Sequence, residues 1–305
     1  MRAPAGAGFA EAEPANQAPL DGMVAVVTGA GTGLGRAEAL GLAEAGARLV
    51  LNDLPGDAVH EVASSIPDAV VCAGDVGETS TAAALLSTAL DAYGRLDILV
   101  NNAGVLRDRM VFSMSPDDWD LVLRVHLRGH FLTTQVATAY WRAQSKQRAA
   151  PVYGRIVNTS SEAFLLGPPG QPNYAAAKAG IVALTVSTAR GCARYGVRAN
   201  AICPRARTAM TAELMGPAPM DGTDPLDPAH VAPLVTYLAG PSAERINGEV
   251  FVVHGSYAAL LAPPSVRASF RAETSWSPGT LHDVFGPLFE KESPGFVCEE
   301  TIRAE

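Results

Sequence analysis

Short apolar runs alternate with stretches of helical spacing along most of the chain. Met23-Val24-Ala25-Val26-Val27-Thr28 is a continuous apolar run that meets glycines at once, and Leu34 to Ala45 then carries a helical period ending at Gly46. The pattern predicts strand, tight turn and helix. Further strand-like runs occur at Arg48 to Asp53, Ala69 to Ala73, Leu96 to Asn101, Gly154 to Thr159, Arg198 to Cys203 and Glu249 to Val253. Helices are predicted over Ser80 to Tyr93, Trp119 to Tyr140 and Tyr174 to Tyr195. Apolar strands without in-out alternation are buried on both faces, so the expected fold is α/β: a doubly wound, seven-stranded parallel sheet with helices on both faces in a single domain. A ligand crevice is expected at the carboxyl ends of its strands.

Three segments fall outside this alternation. Residues 1–20, rich in Ala, Gly, Pro and Glu, carry no period and read as a flexible lead-in to a domain over 21–255. Residues 206–228, rich in Pro, Gly, Met and Asp, read as a substrate lid between a strand and a helix. Residues 256–305 contain Phe270, Trp276, Phe285 and Phe289, too aromatic for a solvated tail, so they are expected to pack on the body or on a neighbouring subunit.

Composition narrows the function. With 305 residues, 48% of them hydrophobic, the chain can bury a full α/β core, and its net charge of −8 argues against nucleic-acid or anionic-membrane partners. No apolar stretch is long enough to span a bilayer and no signal-peptide layout precedes the body, which makes the cytoplasm the expected location. Cys72, Cys192, Cys203 and Cys298 are scattered without a metal-binding spacing, so no metal is expected and buried free thiols are.

Two features carry chemistry. The turn Thr28-Gly29-Ala30-Gly31-Thr32-Gly33-Leu34-Gly35 joins a strand to a helix, where a backbone without Cβ atoms lets a pyrophosphate approach the helix N-terminus. Asp53, eighteen residues after Gly35 at the end of the second strand, can accept hydrogen bonds from the adenine ribose, and no adjacent cation would balance a 2′-phosphate. NAD is therefore the expected cofactor. Asp75 and Val76, after the third strand, can bracket the adenine, although Asp75 could equally cap a helix. Tyr174 and Lys178 lie four residues apart on one helix face, where an ammonium lowers the pKa of a phenol that would otherwise titrate near 10.

In this order the glycine turn, Asn101-Asn102-Ala103-Gly104 and Tyr174-x-x-x-Lys178 resemble the short-chain dehydrogenase/reductase family, whose fold is Rossmann-like. The resemblance covers residues 22–255. It implies a catalytic Ser161 beside Tyr174 and Lys178, with Ser160 structural. It also implies that Asn101, Asn102, Ala103, Gly104, Pro204 and Thr208 line the cofactor. Two departures stand out: Arg205 replaces the glycine after Pro204, and His126 occupies the position of a frequent catalytic asparagine.

The stretches Asn101 to Arg109, Asp118-Trp119-Asp120, Arg124 to Phe131 and Val231 to Val235 resemble the hydroxyacyl-CoA dehydrogenase domain of peroxisomal multifunctional enzymes, also called 17β-hydroxysteroid dehydrogenases, and their bacterial single-domain relatives. His126 is part of that branch's pattern. Phe164, Leu165, Leu166, Met210, Leu214 and Met215 are candidates for an apolar substrate wall, with core packing as the alternative. Arg107, Arg109, Arg205 and Arg207 are candidates for a CoA phosphate, with a solvated surface role as the alternative. The expected activity is NAD-dependent interconversion of a secondary alcohol and a ketone on a small-molecule apolar substrate of the 3-hydroxyacyl-CoA or hydroxysteroid type. A 3-oxoacyl-carrier-protein reductase using NADPH shares every catalytic residue, but Glu213, Asp221, Asp224 and Asp227 would repel an acidic carrier. A non-catalytic dinucleotide sensor would require a broken Tyr/Lys/Ser set, and here the set is intact. The resemblance further implies a homotetramer or homodimer.

Overall fold

The computed structural model describes residues 18–220 and 222–290; Asp221, Cys298 and most of the proposed lead-in lie outside the described residues, as do the side chains of Glu213 and Leu214. The elements run β1 (Val24–Thr28), α1 (Gly33–Glu44), β2 (Arg48–Asn52), α2 (Asp57–Ser64), β3 (Ala69–Val71), α3 (Thr79–Tyr93), β4 (Ile98–Asn101), α4 (Pro116–Leu123), α5 (Gly129–Arg148) and β5 (Gly154–Thr159). There follow α6 (Ala163–Leu166), α7 (Pro172–Cys192), β6 (Val197–Pro204), α8 (Ala212–Met215), α9 (Ala232–Ala239), β7 (Val250–His254), β8 (Tyr257–Leu260) and α10 (Pro278–Phe285). The sheet order is β3-β2-β1-β4-β5-β6-β7-β8, with the chain reversing direction across the sheet between β3 and β4. The predicted crevice belongs at that switch.

The first seven strands are parallel, as their apolar runs predict, and every residue of β1, β4 and β5 is buried. The sheet has an eighth strand that the apolar pattern does not predict. β8 turns back antiparallel on β7 through Gly255-Ser256, pairing His254 with Tyr257. Gly255 takes a φ of +48°, the left-handed conformation that a two-residue hairpin requires. The tail therefore begins as part of the sheet.

Beyond β8 the chain leaves the body. Val266 is 81% exposed and Phe289 61%, while Phe270 and Phe285 pack mainly on each other, ring edge to face at 5.4 Å. α10 is nonetheless well formed, with a capping box between Ser277 and Thr280.

The predicted long helix over Trp119 to Tyr140 has a different interior. Ser115 caps α4 by accepting from the Asp118 N–H, but Arg124–Arg128 adopts π-helical turns before α5 continues. The extra residue per turn rotates His126 inward, so that it is buried.

Strand register brings the functional residues to one rim. Thr28 stands opposite Asn52, Asn101 opposite Asn158, and Thr159 opposite Ile202. On the α5 side, Trp141 is 1% exposed and donates its indole N–H to the Leu96 carbonyl at 2.7 Å. A Cβ at Gly154 would sit 2.8 Å from that ring, so the strand passes directly over it. Trp141→Ala is expected to cost about 3–5 kcal/mol, read as a lower midpoint in chemical denaturation.

Candidate active site

The glycine turn is packed against the β4 loop. A Cβ at Gly35 would lie 2.1 Å from the Gly29 carbonyl oxygen, and one at Gly29 would lie 2.8 Å from the Ala103 Cα. Gly29 and Gly33 also take positive φ angles of 65° and 53°. Asn102 braces the turn: its amide donates to the carbonyls of Thr28 and Gly29 at 3.1 and 3.2 Å, and its backbone N–H donates to the Thr28 hydroxyl at 3.0 Å. The result is a cradle with no room for side chains, which suits a pyrophosphate on the N-terminus of α1. Thr208 reaches the same place, since its methyl would lie 3.0 Å from a Cβ on Gly33.

Asp53 closes the cradle at β2. Its Oδ2 accepts from the Gly31 N–H at 2.9 Å and its Oδ1 from the Leu54 N–H at 2.8 Å, leaving the remaining lone pairs for a ribose. Asp75 is held differently from the helix-capping alternative. Its carboxylate accepts from the Gly77 N–H at 2.8 Å and from Arg124 at 2.7 Å, and the N-cap of α3 is Glu78. Val76 is buried beneath the start of α5.

Asn101 faces away from the cradle. Its amide donates to Asn158 at 2.9 Å and its oxygen accepts from Thr133 at 2.7 Å, which ties the end of β4 to α5. Ala103 and Gly104 continue along the crevice, and a Cβ at Gly104 would strike the His126 ring at 2.3 Å.

Ser161, just after the end of β5, meets Tyr174 and Lys178 on the first two turns of α7. Burial pushes the Tyr174 phenol up to about 12, with the Ser161 side chain opposing the rise. Lys178 is buried; its ammonium donates to the Thr159 carbonyl at 2.6 Å and lies 5.2 Å from the centroid of the Tyr174 ring. Burial pushes Lys178 down to about 7. Ser160 donates to the Lys178 carbonyl at 3.0 Å, a structural task.

His126 meets the Tyr174 ring edge-on at 5.2 Å, and its Nε2 lies 2.8 Å from the Val105 carbonyl oxygen. Burial, reinforced by the nearby Lys178 charge, holds it well below the usual histidine range, hence neutral. One turn on, buried His130 is pushed down to about 3 by the same two causes. The charge of Lys178 thus stands among neutral imidazoles.

The expected substrate wall is split. Phe164, Leu165 and Met215 are half-buried on the short helices that follow the adjacent strands β5 and β6, whereas Met210 is exposed. The segment between β6 and α9 is pinned at two points. Arg205 makes a two-pronged ion pair with Glu162, at 2.6 and 2.8 Å, and Arg207 pairs with Asp224 at 2.9 Å. Glu162 and the unusual Arg205 are thus one feature.

The short chain dehydrogenase profile matches residues 23–216. This chain belongs to that family. The hydroxyacyl-CoA dehydrogenase ChsB1 of Mycobacterium tuberculosis is 54% identical over 288 residues, spanning 88% of this chain and 90% of its own. Mouse peroxisomal multifunctional enzyme type 2 is 43% identical over 244 residues, which span 77% of this chain but 32% of that longer protein. A crystal structure of a short chain dehydrogenase from Mycobacterium avium superposes with a TM-score of 0.82 at 40% identity, covering 90% of this chain and 97% of its own. This short-chain dehydrogenase is therefore an oxidoreductase acting on CH–OH groups, and its family and Rossmann-like fold imply a nicotinamide dinucleotide cofactor. The cradle fits one. Among the described residues no cluster of metal ligands occurs, and no helix is long and apolar enough to cross a membrane.

Glu38 belongs to none of the sequence motifs. It is fully buried on α1, neither carboxyl oxygen has a hydrogen-bond partner, and burial pushes it up to about 8 from an ordinary 4.5, with the Lys178 charge opposing. Its only sequence signal is a polar residue on the apolar face of α1. The native state keeps Glu38 protonated up to about pH 8, while the unfolded chain ionises it above 4.5, so its contribution to stability falls as pH rises through that window. Glu38→Gln removes this slope. The stability difference, variant minus wild type, is expected to grow by about 3–5 kcal/mol between pH 4 and 8 and then level off. Denaturation at a series of pH values checks it, and a flat difference contradicts it.

Proposed function

We propose that this protein is an NAD-dependent 3-hydroxyacyl-CoA dehydrogenase. The observation that carries the cofactor choice is Asp53, whose carboxylate is fixed by the Gly31 and Leu54 N–H groups at the ribose end of the cradle. A 2′-phosphate there would meet like charge in a partly buried place, with Leu54 rather than a cation next in sequence. The substrate class is supported by the hydroxyacyl-CoA dehydrogenase named above at 54% identity.

The cofactor, when bound, supplies a nicotinamide that exchanges a hydride with the substrate carbon. Tyr174 exchanges the proton of the substrate oxygen, as general base in oxidation and general acid in reduction. Ser161, whose hydroxyl accepts from the Ala163 N–H at 3.2 Å, donates to that oxygen while negative charge builds on it. Lys178 serves as the cation that favours the phenolate and as a partner for the nicotinamide ribose. His126 braces the Val105 backbone against Tyr174 in its neutral form, so it positions the site and adds no positive charge to it at neutral pH. The 206–228 segment acts as the substrate lid, and the exposed apolar arm beyond β8 docks on a second copy of the chain in a homo-oligomer.

Tyr174→Phe is expected to lower kcat by about 10²- to 10⁴-fold while NADH binding, followed by fluorescence, persists. Unchanged turnover would contradict the assignment. In the wild type, kcat/KM with NADH should exceed that with NADPH by at least about a hundredfold, and Asp53→Ala should narrow the ratio. A preference for NADPH with a carrier-protein thioester would overturn both the cofactor and the substrate reading.

A further inference from the structure

Of the four arginines near the substrate mouth, two are spent. Arg205 is forked onto Glu162, and Arg207 holds Asp224 together with the carbonyls of Met215 and Gly216. Arg107 and Arg109 differ. Each donates to the carbonyl of the residue before it, Leu106 at 2.7 Å and Asp108 at 2.8 Å, and neither forms an ion pair with a described carboxylate. Both are exposed.

Their loop is fastened to the start of α7. The Asn173 amide donates to the Arg107 carbonyl at 3.0 Å, the Arg109 N–H donates to the Gly170 carbonyl at 2.8 Å, and Gln171 donates to the Asp108 carboxylate at 2.8 Å. Asn173 directly precedes Tyr174 and accepts its backbone N–H at 2.7 Å. The backbone of this loop is thereby tied to the residue before the reacting tyrosine, and the one acid between the two arginines is occupied. Beyond them Met110, Val111 and Phe112 are 42%, 72% and 83% exposed, an apolar and aromatic tip next to unpaired positive charge.

We propose that Arg107 and Arg109 bind the phosphate groups of coenzyme A, with Phe112 offering its ring to the adenine. The inference rests on the CoA-thioester reading above and assigns that substrate's anionic end to named residues. Guanidinium groups take phosphate oxygens in pairs, and an exposed aromatic stacks on a base. A large acidic partner is disfavoured, because Asp117, Asp118 and Asp120 on the neighbouring α4 would face it.

The test uses the full-length protein and the Arg107→Ala/Arg109→Ala double variant. Each is assayed with NADH on a 3-oxoacyl-CoA and on the N-acetylcysteamine thioester of the same acyl chain, which lacks the nucleotide. The ratio of kcat/KM for the CoA ester to that for the truncated ester is expected to fall at least about tenfold in the variant. Salt should weaken the wild type's use of the CoA ester more than the variant's. An unchanged ratio overturns the proposal, as does equal weakening of both esters or wild-type preference for a carrier-protein thioester over the CoA ester. Calorimetry with free CoA separates this inference from the parent reading. If the wild type turns over neither ester, CoA binding that is lost in the double variant sustains the arginine site, and absence of CoA binding to the wild type ends it.

Discussion

A buried ammonium at the end of β5 is the constraint around which the site is arranged. Among the described residues the Lys178 ammonium donates to the Thr159 carbonyl at 2.6 Å, and around it stand neutral imidazoles, a phenol, the Cys203 thiol and a carboxyl held protonated by burial. Such a charge is costly, and burial draws its pKa down to about 7 against the opposing pull of Cys203 and Glu38. The cost is tolerated where it does chemistry. In the proposed reaction Lys178 stays charged in order to favour the phenolate of Tyr174, and Ser161 and the π-helical turn carrying His126 fix the ring it acts on.

The sheet supplies the other half of the arrangement. Parallel register brings Thr28, Asn52, Asn101 and Thr159 to one rim, and the reversal between β3 and β4 opens the crevice there. Glycines at 29 and 35 let the β1 and β4 loops touch, with Asn102 stitching them together. The cradle and the Ser/Tyr/Lys cluster thus belong to one packed rim, so cofactor and substrate would share a wall.

Much of this was legible in the sequence because the signals are local. Seven apolar runs mark the seven parallel strands, and the Gly turn, Asp53 and the four-residue spacing of Tyr174 and Lys178 each lie within one element or its end. Long-range pairings were not legible. Glu162 and Arg205 sit on loops after different strands, and their ion pair follows from the adjacency of β5 and β6. The π-helical turn at Arg124–Arg128 leaves the apolar period almost unbroken, so the sequence reads as one long α-helix. Glu38 looks like an ordinary helix glutamate until α1 is seen to bury that face. β8 depends on Gly255 turning left-handed, which a lone glycine does not announce.

The coupling of Lys178 to Tyr174 is read most directly by an ultraviolet titration of tyrosinate, with Tyr174→Phe subtracted, on wild type and Lys178→Met with and without NAD+. Tyr174 of the free wild type should titrate high, near the value of about 12 that burial sets, and fall by several units toward neutrality when NAD+ binds. In Lys178→Met the fall should be largely lost. A Tyr174 that titrates equally high with and without NAD+, or one whose fall is unaffected by removing Lys178, would contradict that coupling.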